Sequence, residues 1–368
     1  MPEGVLAVFF GGVSSENEIS IMTGTMTCNV LSRRGEKVLP VYITQSGAFY
    51  AGGELADIKA YKDGALPRSE KIAFSEGEIF VLSSRGKIKR RVQVRCAINC
   101  CHGGWGEGGG ISGLCSSFSI PLASASAFES ALFLDKYLTK IALNGLGVST
   151  LPYCLVTSSD GADEVDIGFP VMVKPCTLGS SIGVVRADDK KELEEALLAA
   201  FELDGSVIVE RCVTNRREIN CAAYAVGNEV IISPCEEVLS GGDILSYDDK
   251  YSGGGSRIFP AHTDEQTTKI IQDTTRYVYG ALKMRGIVRF DYILEGENVW
   301  LSEVNTVPGS LSYYLLSEGW DGFYDILMSL ADDAVRRSEE EGKKRIINTG
   351  IINNFVSNSC KIGGDIVK

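Results

Sequence analysis

The sequence is poor in histidine and has no closely spaced cysteine pair. Two histidines, His102 and His262, accompany eleven cysteines, and no Cys-x-x-Cys spacing occurs. Zinc sites use cysteine and histidine at short, regular spacings, so we expect none here. An odd number of scattered cysteines is typical of reduced thiols in a cytoplasmic protein. The adjacent Cys100 and Cys101 end an apolar run, which favours buried small side chains over a redox pair.

Long hydrophobic runs and an excess of positive charge are also absent. The apolar run at residues 5–10 is far shorter than the roughly 18 residues of a membrane-spanning helix. No basic residues precede this run, so a signal peptide is not expected. The net charge of −12 argues against nucleic acid and anionic lipid as partners. We therefore expect a soluble globular protein rather than a membrane protein or one that binds nucleic acid broadly.

The first third of the chain predicts a parallel α/β layer. With 368 residues, the chain exceeds the size of a single hydrophobic core, so two or three packed domains are expected. Residues 5–43 alternate strand, glycine-rich turn, helix and strand. Residues 52–84 are rich in turn formers. A buried strand at 94–100 then leads into a glycine cluster at 102–110, a position where α/β sheets bind ligands.

The middle of the chain predicts strands that frame a loop, with helices on either side. A helix is expected over 129–143, because apolar residues recur there at helical spacing. The residues assigned to its buried face are Leu134, Leu138, Ile141 and Ala142. A second helix is expected after Asp189, whose spacing from Glu192 is that of a capping box.

The last third combines a loop rich in glycine and tyrosine at 241–255, an amphipathic helix and two strands, at 287–294 and 299–304. The helix is expected to bury Ile270, Thr274, Tyr277, Val278, Ala281 and Leu282. The tail beyond Arg336 is charged and then rich in asparagine and glycine, so it is expected to be peripheral. The predicted domains cover 1–126, 127–216 and 217–336, followed by a tail at 337–368.

An arginine, two acidic residues and an asparagine interrupt the last two apolar strands. Alternation along a strand places Arg289 and Asp291 on one face. Glu303 and Asn305 likewise share one face of the neighbouring strand. Such oxygen ligands suit magnesium, and buried carboxylates need a metal or basic partners. The sequence therefore predicts a metal site, while a hairpin with solvent-facing carboxylates stays open as the alternative.

Lys174 ends a β-rich segment and precedes a loop of small residues at 179–183. Small residues let backbone N–H groups approach phosphate oxygens closely, and a lysine offsets the phosphate charge. The spacing is not that of a Walker loop. The segment therefore indicates a phosphate-binding loop, and a purely structural glycine/serine turn is the alternative.

A glycine turn after the first strand leads into a helix that begins with two glutamates. Gly11 and Gly12 form the turn, and Glu16 and Glu18 follow. A helix N-terminus favours an anion, but two carboxylates would repel one, so an ammonium group is the better guest. The alternative is that both glutamates only complement the helix dipole.

Taken in order, these motifs resemble those of the D-alanyl-D-alanine ligases of the ATP-grasp superfamily, up to about Arg336. The resemblance implies an α/β and α+β fold of the ATP-grasp type. An N-terminal Rossmann-like parallel sheet domain would precede two subdomains that enclose ATP. It also implies ATP-dependent joining of two D-alanine molecules through D-alanyl phosphate, for peptidoglycan precursor synthesis. The matching residues are Gly11-Gly12, Ser14, Glu16, His102-Gly103, Gly106-Glu107, Gly113, Asp135-Lys136, Val173-Lys174-Pro175, Gly179-Ser180-Ser181, Tyr247, Lys250-Tyr251, Arg289, Asp291 and Glu303-Val-Asn305-Thr-x-Pro-Gly309.

The resemblance assigns one group of residues to ATP and metal ions. Asp291, Glu303 and Asn305 would hold two Mg²⁺ or Mn²⁺ ions that bridge the ATP phosphates. Lysines would neutralise and orient the phosphates, and two glutamates would meet the adenine and ribose side. The residues assigned to ATP are Lys136, Lys174, Ser181, Glu210, Glu218 and Lys250.

A second group is assigned to the first amino acid. The Glu16 carboxylate would receive the ammonium group of this substrate. Ser180 and Tyr251 would hydrogen-bond with Glu16 and close the loop at 241–255 over the site, which excludes water. His102 would lie near the first amino acid, although a lone histidine is more often a satisfied polar residue.

The reaction centre and the second substrate involve the end of the last strand. Arg289 and the Gly309 N–H would form the oxyanion site, where a lost donor costs about 3 kcal/mol. The family usually continues with Phe-Thr-Ser, one residue, and a serine that helps to hold the second carboxylate. Here Ser312 is assigned to substrate binding, but Tyr314 replaces that second serine.

The larger phenol of Tyr314 implies a reshaped second subsite. Three other products therefore stay open: D-alanyl-D-serine, D-alanyl-D-lactate and an unrelated dipeptide. A catalytically silent nucleotide-binding protein is the alternative from another class. The family's habit also suggests a homodimer.

Overall fold

The computed structural model describes residues 4–62, 64–239, 256–343, 349 and 351–352. These residues form a mixed α/β structure with three sheets. The strands are β1 (Val5–Gly11), β2 (Val38–Ile43), β3 (Phe49–Ala51), β4 (Glu70–Ser75), β5 (Glu78–Leu82), β6 (Ile88–Asn99), β7 (Tyr153–Val156), β8 (Val171–Pro175), β9 (Val185–Ala187), β10 (Val207–Arg211), β11 (Arg217–Val226), β12 (Glu229–Ile232), β13 (Glu236–Leu239), β14 (Ser256–Ile258), β15 (Val288–Glu295) and β16 (Asn298–Asn305). The helices are α1 (Asn17–Arg33), α2 (Ile111–Ser117), α3 (Ala127–Leu134), α4 (Lys136–Gly145), α5 (Lys190–Phe201), α6 (Glu265–Ala281), α7 (Tyr313–Leu316) and α8 (Trp320–Gly342).

The first sheet has a parallel centre and an antiparallel extension. β1 lies between β2 and β6 and is parallel to both, as the strand–helix–strand pattern predicts. β3, β4 and β5 continue the sheet in antiparallel order, and β5 pairs with β6, so the sheet closes on itself. The segment at 52–84 therefore contains strands as well as turns. β4 and β5 are short and are joined by Glu76 and Gly77, so turn formers dominate its composition.

The second sheet carries the predicted phosphate-binding loop. Its strand order is β7-β10-β8-β9, and the loop connects β8 to β9. Apolar residues of α5, including Leu193 and Leu197, pack against Val173 and Val209 of this sheet. The helix begins after Asp189, whose carboxylate accepts a hydrogen bond from the Glu192 N–H at 2.9 Å, as the capping spacing predicts.

The third sheet carries the last two strands, and α6 packs on it. The order is β14-β13-β11-β15-β16, and β12 also pairs with β11. Ile271, Val278 and Tyr279 of α6 are buried against this sheet. The predicted face is correct at Val278 and Leu282 and wrong at Ile270 and Tyr277, which are 40% and 52% exposed. Neighbouring apolar residues on α6 fit either of two faces, and packing selects one of them.

The helix predicted at 129–143 is two helices. Asp135 ends α3 and caps α4, because its side chain accepts hydrogen bonds from the N–H groups of Tyr137 and Leu138. Leu138 is 42% exposed and Ile141 is 46% exposed, whereas Leu143 is buried. The local competition of an aspartate for backbone N–H groups therefore overrides the longer apolar pattern.

Helix α8 packs against the first strand, β1. Phe323 and Leu327 of α8 share a buried cluster with Val8 and Phe10 of β1. The helix continues to Gly342, beyond Arg336, and the rest of the predicted tail lies largely outside the described residues. The proposed domain boundaries stay predictions. Among the described helices, none combines the length and the apolar character of a membrane span.

Candidate active site

A cavity of about 830 Å³ lies where the three sheets meet. Its wall includes the start of α1, the glycine cluster after β6, the loop between β8 and β9, and one face of the third sheet. The structure therefore brings together residues from widely separated parts of the sequence. The predicted site residues that line it are Glu16, His102, Lys136, Lys174, Ser180, Ser181, Glu218, Arg289, Asp291, Glu303, Asn305, Gly309 and Tyr314.

Glu16 is held at the cavity by contacts from other segments. It is 9% exposed, and the Ser180 hydroxyl donates a hydrogen bond to its carboxylate. The Ser14 hydroxyl accepts a hydrogen bond from the Glu16 N–H at 3.0 Å. Glu18, by contrast, is exposed on the first turn of α1. The predicted contact between Ser180 and Glu16 is confirmed, while the roles of Glu16 and Glu18 stay predictions.

Gly103 leaves the room that Glu16 occupies. A Cβ atom at this position would lie 2.5 Å from the Glu16 Oε2 atom and 2.5 Å from the Ser14 hydroxyl. The backbone of Gly103 also has a φ of +67°, which side chains other than glycine rarely adopt. Glycine is therefore required here both by its conformation and by its small size.

Replacing Gly103 with alanine is expected to lower the free energy of unfolding by about 1–3 kcal/mol, because of strain and crowding. Denaturant unfolding measures this change. The matched control is Gly113→Ala on α2, where nothing lies within 4 Å of the new methyl group. Alanine is expected to be neutral or slightly stabilising at this helical position. Equal stability of the two variants would contradict the steric argument.

His102 connects α1 to the loop that follows β16. It is 4% exposed, and its Nε2 atom lies 2.8 Å from the Thr23 hydroxyl. The same hydroxyl accepts a hydrogen bond from the Ser310 N–H. Burial lowers the pKa of His102 to about 4, so the ring is neutral at physiological pH. The histidine therefore has two tasks, since it lines the cavity and helps to fix the loop beside Gly309.

Glu107 is a second carboxylate near Glu16. It accepts a hydrogen bond from the Gly103 N–H at 2.6 Å and lines the cavity. Burial raises its pKa to about 7, and the charge of Glu16 adds to the shift. Glu107 belongs to one of the motifs that carry the family resemblance, but the resemblance assigns it no task. Two carboxylates in one pocket make a suitable site for an ammonium group.

Polar residues form a row across the third sheet. Glu236 pairs with Asn220, and Asn220 pairs with Asp291. Asp291 in turn pairs with Glu303. All four residues line the cavity. Strand alternation predicts the Asp291 end of this row. Because all four residues line the cavity, the alternative in which these carboxylates face only bulk solvent is excluded.

Arg289 and Asp291 form a forked ion pair on β15. The Nε and Nη2 atoms of Arg289 lie 2.7 and 2.8 Å from the two carboxylate oxygens. The Asn305 amide also donates to Asp291, at 2.9 Å. The positive charge of Arg289 therefore offsets the negative charge of Asp291, beside Glu303. Among the described residues, no three His, Cys, Asp or Glu side chains gather as a metal-ligand cluster.

The donor set nevertheless fits a hard cation in its chemistry. Asp291 and Glu303 supply carboxylates and Asn305 supplies an amide oxygen, and all three reach the cavity wall. These are the ligand types that magnesium selects. The metal assignment of these three residues stays a prediction.

Lys174 stands at the cavity above a buried ion cluster. Its ammonium nitrogen lies 2.5 Å from Glu210, and Lys140 lies 2.7 Å from the other oxygen of Glu210. Lys140 and Glu210 are 1% and 2% exposed. Burial alone would raise the pKa of Glu210, but the two ammonium groups outweigh it and lower the pKa to about 2. Glu210 is therefore ionised and orients Lys174.

The loop after β8 has the backbone form of an anion site. Ser180 and Ser181 both have positive φ, at 51° and 58°, which turns successive backbone groups to one side. Lys136 donates to the Leu178 carbonyl at 2.5 Å, beside this loop. At the same cavity, Arg216 holds Glu218 at 2.7 Å. Cationic groups and small residues thus surround this part of the cavity.

Two predicted residues, Glu210 and Ser312, do not line the cavity, and two others lie outside the described residues. Glu210 is buried behind Lys174, so the geometry offers no direct contact with a ligand. Ser312 is fully buried and does not line the cavity. Lys250 and Tyr251 lie outside the described residues.

Several residues of the cavity wall, and Lys140 behind it, have no role assigned by the sequence motifs. Lys140 could have been found from its spacing of four from Lys136 on one helix. Glu236 and Arg257 lie on strands that flank the loop at 241–255, so only the strand order reveals them. The unassigned residues with a polar contact at the site are Thr23, Glu107, Lys140, Arg216, Asn220, Glu236 and Arg257.

The fold and the site together define an ATP-dependent ligase with an ATP-grasp fold. Family models described as the N-terminus and the C-terminus of D-ala D-ala ligase match residues 5–125 and 143–324. The D-alanine–D-alanine ligase of Thermosipho melanesiensis is 31% identical, over 94% of this chain and 98% of its own. The chain therefore belongs to the D-alanine–D-alanine ligase family, and ATP is its co-substrate.

Solved structures agree with this assignment. A D-alanine–D-alanine ligase from Helicobacter pylori has a TM-score of 0.72 and 26% identity, and the match covers 90% of this chain and 98% of that one. The VanG D-Ala:D-Ser ligase from Enterococcus faecalis has a TM-score of 0.76 and 25% identity, with coverage of 90% and 100%. The fold is thus shared across ligases whose titles name different second amino acids.

Proposed function

We propose that this chain joins two D-alanine molecules, through D-alanyl phosphate, for peptidoglycan precursor synthesis. The carboxylate of the first D-alanine attacks the terminal phosphorus of ATP, and ADP leaves. The amine of the second D-alanine then attacks the acyl carbon, loses a proton and displaces phosphate. One observation carries the proposal: the Glu16 carboxylate, held by Ser180, and the forked Arg289–Asp291 pair line the same cavity.

The first D-alanine binds through its ammonium group. Glu16 accepts this cation, and Ser180 holds the Glu16 carboxylate in place. Glu107 adds negative charge when it is ionised, and neutral His102 lies beside the bound amino acid. Tyr251 completes this network by resemblance to the family. The substrate carboxylate is thereby directed away from Glu16 and towards the cations of the cavity.

We expect KM for the first D-alanine to fall about threefold to tenfold between about pH 6 and pH 8. Glu107 has a raised pKa of about 7, so it carries a proton below that pH and gains a negative charge above it. The added charge strengthens ammonium binding. Steady-state kinetics across this range measures the effect. Glu107→Gln is expected to flatten the profile, and an unchanged profile in this variant would contradict the assignment.

ATP binds on the side of Lys136 and Lys174. These lysines, the Ser181 loop and Lys250 offset the phosphate charge, and Glu218 meets the adenine and ribose side. Glu210 acts through Lys174, which it orients by an ion pair. Asp291, Glu303 and Asn305 would hold two Mg²⁺ or Mn²⁺ ions, which when bound neutralise the phosphates and position them for transfer.

The second step develops negative charge on the acyl oxygen. Arg289 and the Gly309 N–H lie at the cavity wall and stabilise this oxyanion. Arg289 is preoriented for this task by its two hydrogen bonds with Asp291. The catalytic contribution of Arg289 is electrostatic, because the negative charge on the acyl oxygen forms beside a guanidinium group that is already fixed in place.

The decisive experiment measures ADP release with a panel of D- and L-amino acids and hydroxy acids, and identifies each product by mass. D-alanine is expected to give D-alanyl-D-alanine. Glu303→Gln is expected to lower kcat at least a hundredfold, because it removes a charged ligand. Glu297→Gln, on the exposed turn between β15 and β16, is the matched control. Turnover that is insensitive to Glu303→Gln would contradict the metal assignment. A preference for L-amino acids would contradict the role in peptidoglycan precursor synthesis.

D-alanyl-D-serine formation is the second candidate, and Tyr314 is the observation that favours it. This residue lines the cavity where the family usually has a serine. The same mass measurement with a mixture of D-alanine and D-serine decides between the two products. We also propose a homodimer in the cytoplasm, and light scattering on the purified protein tests the dimer.

A further inference from the structure

Arg257 is the least engaged of the arginines that line the cavity in the described structure. Arg216 and Arg289 each hold a carboxylate at 2.7 Å. Arg257 lies 3.4 Å from the Glu236 carboxylate, beyond the usual length of a charged hydrogen bond. Its side chain is 47% exposed. The guanidinium group of Arg257 thus has the most capacity to bind a further anion.

Tyr314 and Glu236 fix the position of this guanidinium. The Arg257 Cζ atom lies 4.9 Å from the centre of the Tyr314 ring, within the range of a cation–π contact. Glu236 is 1% exposed and is also held by the Asn220 amide at 3.3 Å. A planar guanidinium between a ring and a fixed carboxylate keeps its outer N–H groups in a defined direction. Such an arrangement suits recognition of a second carboxylate.

The reaction provides one anion that lacks a partner. The carboxylate of the first amino acid becomes the acyl phosphate, and the ATP phosphates face the lysines. The carboxylate of the second amino acid keeps its charge through both steps, so it needs a cation that is not committed elsewhere. Arg289 is already paired with Asp291 and faces the reacting acyl group. Among the described residues of the third sheet that line the cavity, Arg257 is the cation that remains.

We propose that Arg257, stacked on Tyr314 and steadied by Glu236, binds the carboxylate of the second amino acid. This inference rests on the proposed ligase function. It gives Tyr314 a task of its own: the ring that replaces the family's serine does not hold the substrate carboxylate directly but supports the arginine that does. Specificity for a free carboxylate on the acceptor then depends on Arg257.

The test fits separate donor and acceptor KM values to rates over a range of D-alanine concentrations, then varies D-alaninamide as the acceptor at one fixed D-alanine concentration, with products separated by mass. Arg257→Gln is expected to raise the acceptor KM for D-alanine about tenfold to a hundredfold. The same variant is expected to change the KM for D-alaninamide and for ATP less than threefold. An unchanged KM for D-alanine, or an equal loss with both acceptors, overturns the assignment.

Two further variants separate binding from folding. Tyr314→Leu removes the ring but keeps Arg257, and it is expected to raise the D-alanine acceptor KM selectively. Arg211→Gln is the matched control, because Arg211 also stacks on a ring, that of Trp300 at 5.8 Å, but does not line the cavity. It is expected to behave as the unmodified enzyme. No ligation by the unmodified enzyme would overturn both proposals, whereas ligation without the amide contrast overturns only this one.

Discussion

Replacing Arg289 with glutamine is expected to lower kcat about a hundredfold to a thousandfold. The side chain is the cation at the site where the acyl oxygen becomes negative, and its two hydrogen bonds with Asp291 fix its direction. Glutamine removes both the positive charge and the two-nitrogen contact with Asp291. Arg289→Lys is expected to regain at most about tenfold, because an ammonium group cannot make the planar two-nitrogen contact. Initial rates at saturating ATP and D-alanine measure both changes.

The matched control is Arg217→Gln on the neighbouring strand β11. Arg217 makes the same two-nitrogen contact with Glu237, at 2.6 and 2.7 Å, but does not line the cavity. Its kcat is expected to stay within about twofold, because Arg217 does not line the cavity in which the reaction takes place. If both variants lost activity equally, the effect of Arg289 would be structural rather than electrostatic.

Replacing Glu210 with glutamine is expected to lower the free energy of unfolding by about 3–5 kcal/mol. The carboxylate lies between two lysines and is 2% exposed. Without it, Lys140 and Lys174 lose the carboxylate that pairs with both of them in a buried environment. Urea unfolding at neutral pH measures the loss. Glu295→Gln is the matched control, because Glu295 pairs with Arg211 at 33% exposure and contributes less than about 1 kcal/mol.

The same cluster predicts how stability depends on pH. The pKa of Glu210 is lowered to about 2 in the folded protein, against about 4.3 in an unfolded chain. Its contribution is therefore complete above about pH 4.3 and is lost as the pH falls towards 2. The difference in unfolding free energy between the protein and Glu210→Gln should narrow over this acid range. A constant difference would contradict the ionised state of Glu210.

The sequence predicts those parts of the fold that depend on short, local patterns. Strand alternation places Arg289 and Asp291 on one face, and the structure agrees because only the pleat of a single strand is involved. The cap at Asp189 is equally local. Helix faces are harder to predict. Consecutive apolar residues such as Ile270 and Ile271 satisfy either face of α6, so the choice depends on the sheet beneath.

Site residues could be predicted from the sequence where they lie in one short motif. They could not be predicted where only the order of the strands brings them together. Ser180 and Glu16 were linked only through the family resemblance, since nothing in either segment indicates that a hydroxyl will meet a carboxylate across the cavity. Glu236 lies beside Asn220 because β13 pairs with β11. Arg257 enters because β14 is the edge of the same sheet. Strand order is a property of the whole chain, so no local pattern contains it.

The packing of α8 on β1 also sets the order in which the molecule can be completed during synthesis. The ribosome releases β1 first, but Val8 and Phe10 share their buried cluster with Phe323 and Leu327 of the last helix. Helix α1 covers part of this cluster early, but the part that α8 covers stays exposed until α8 has emerged. A nascent chain that stalls before α8 would expose this face to chaperones or to other nascent chains. The buried cluster around β1, the first strand to be synthesised, is therefore completed only when α8 packs against it.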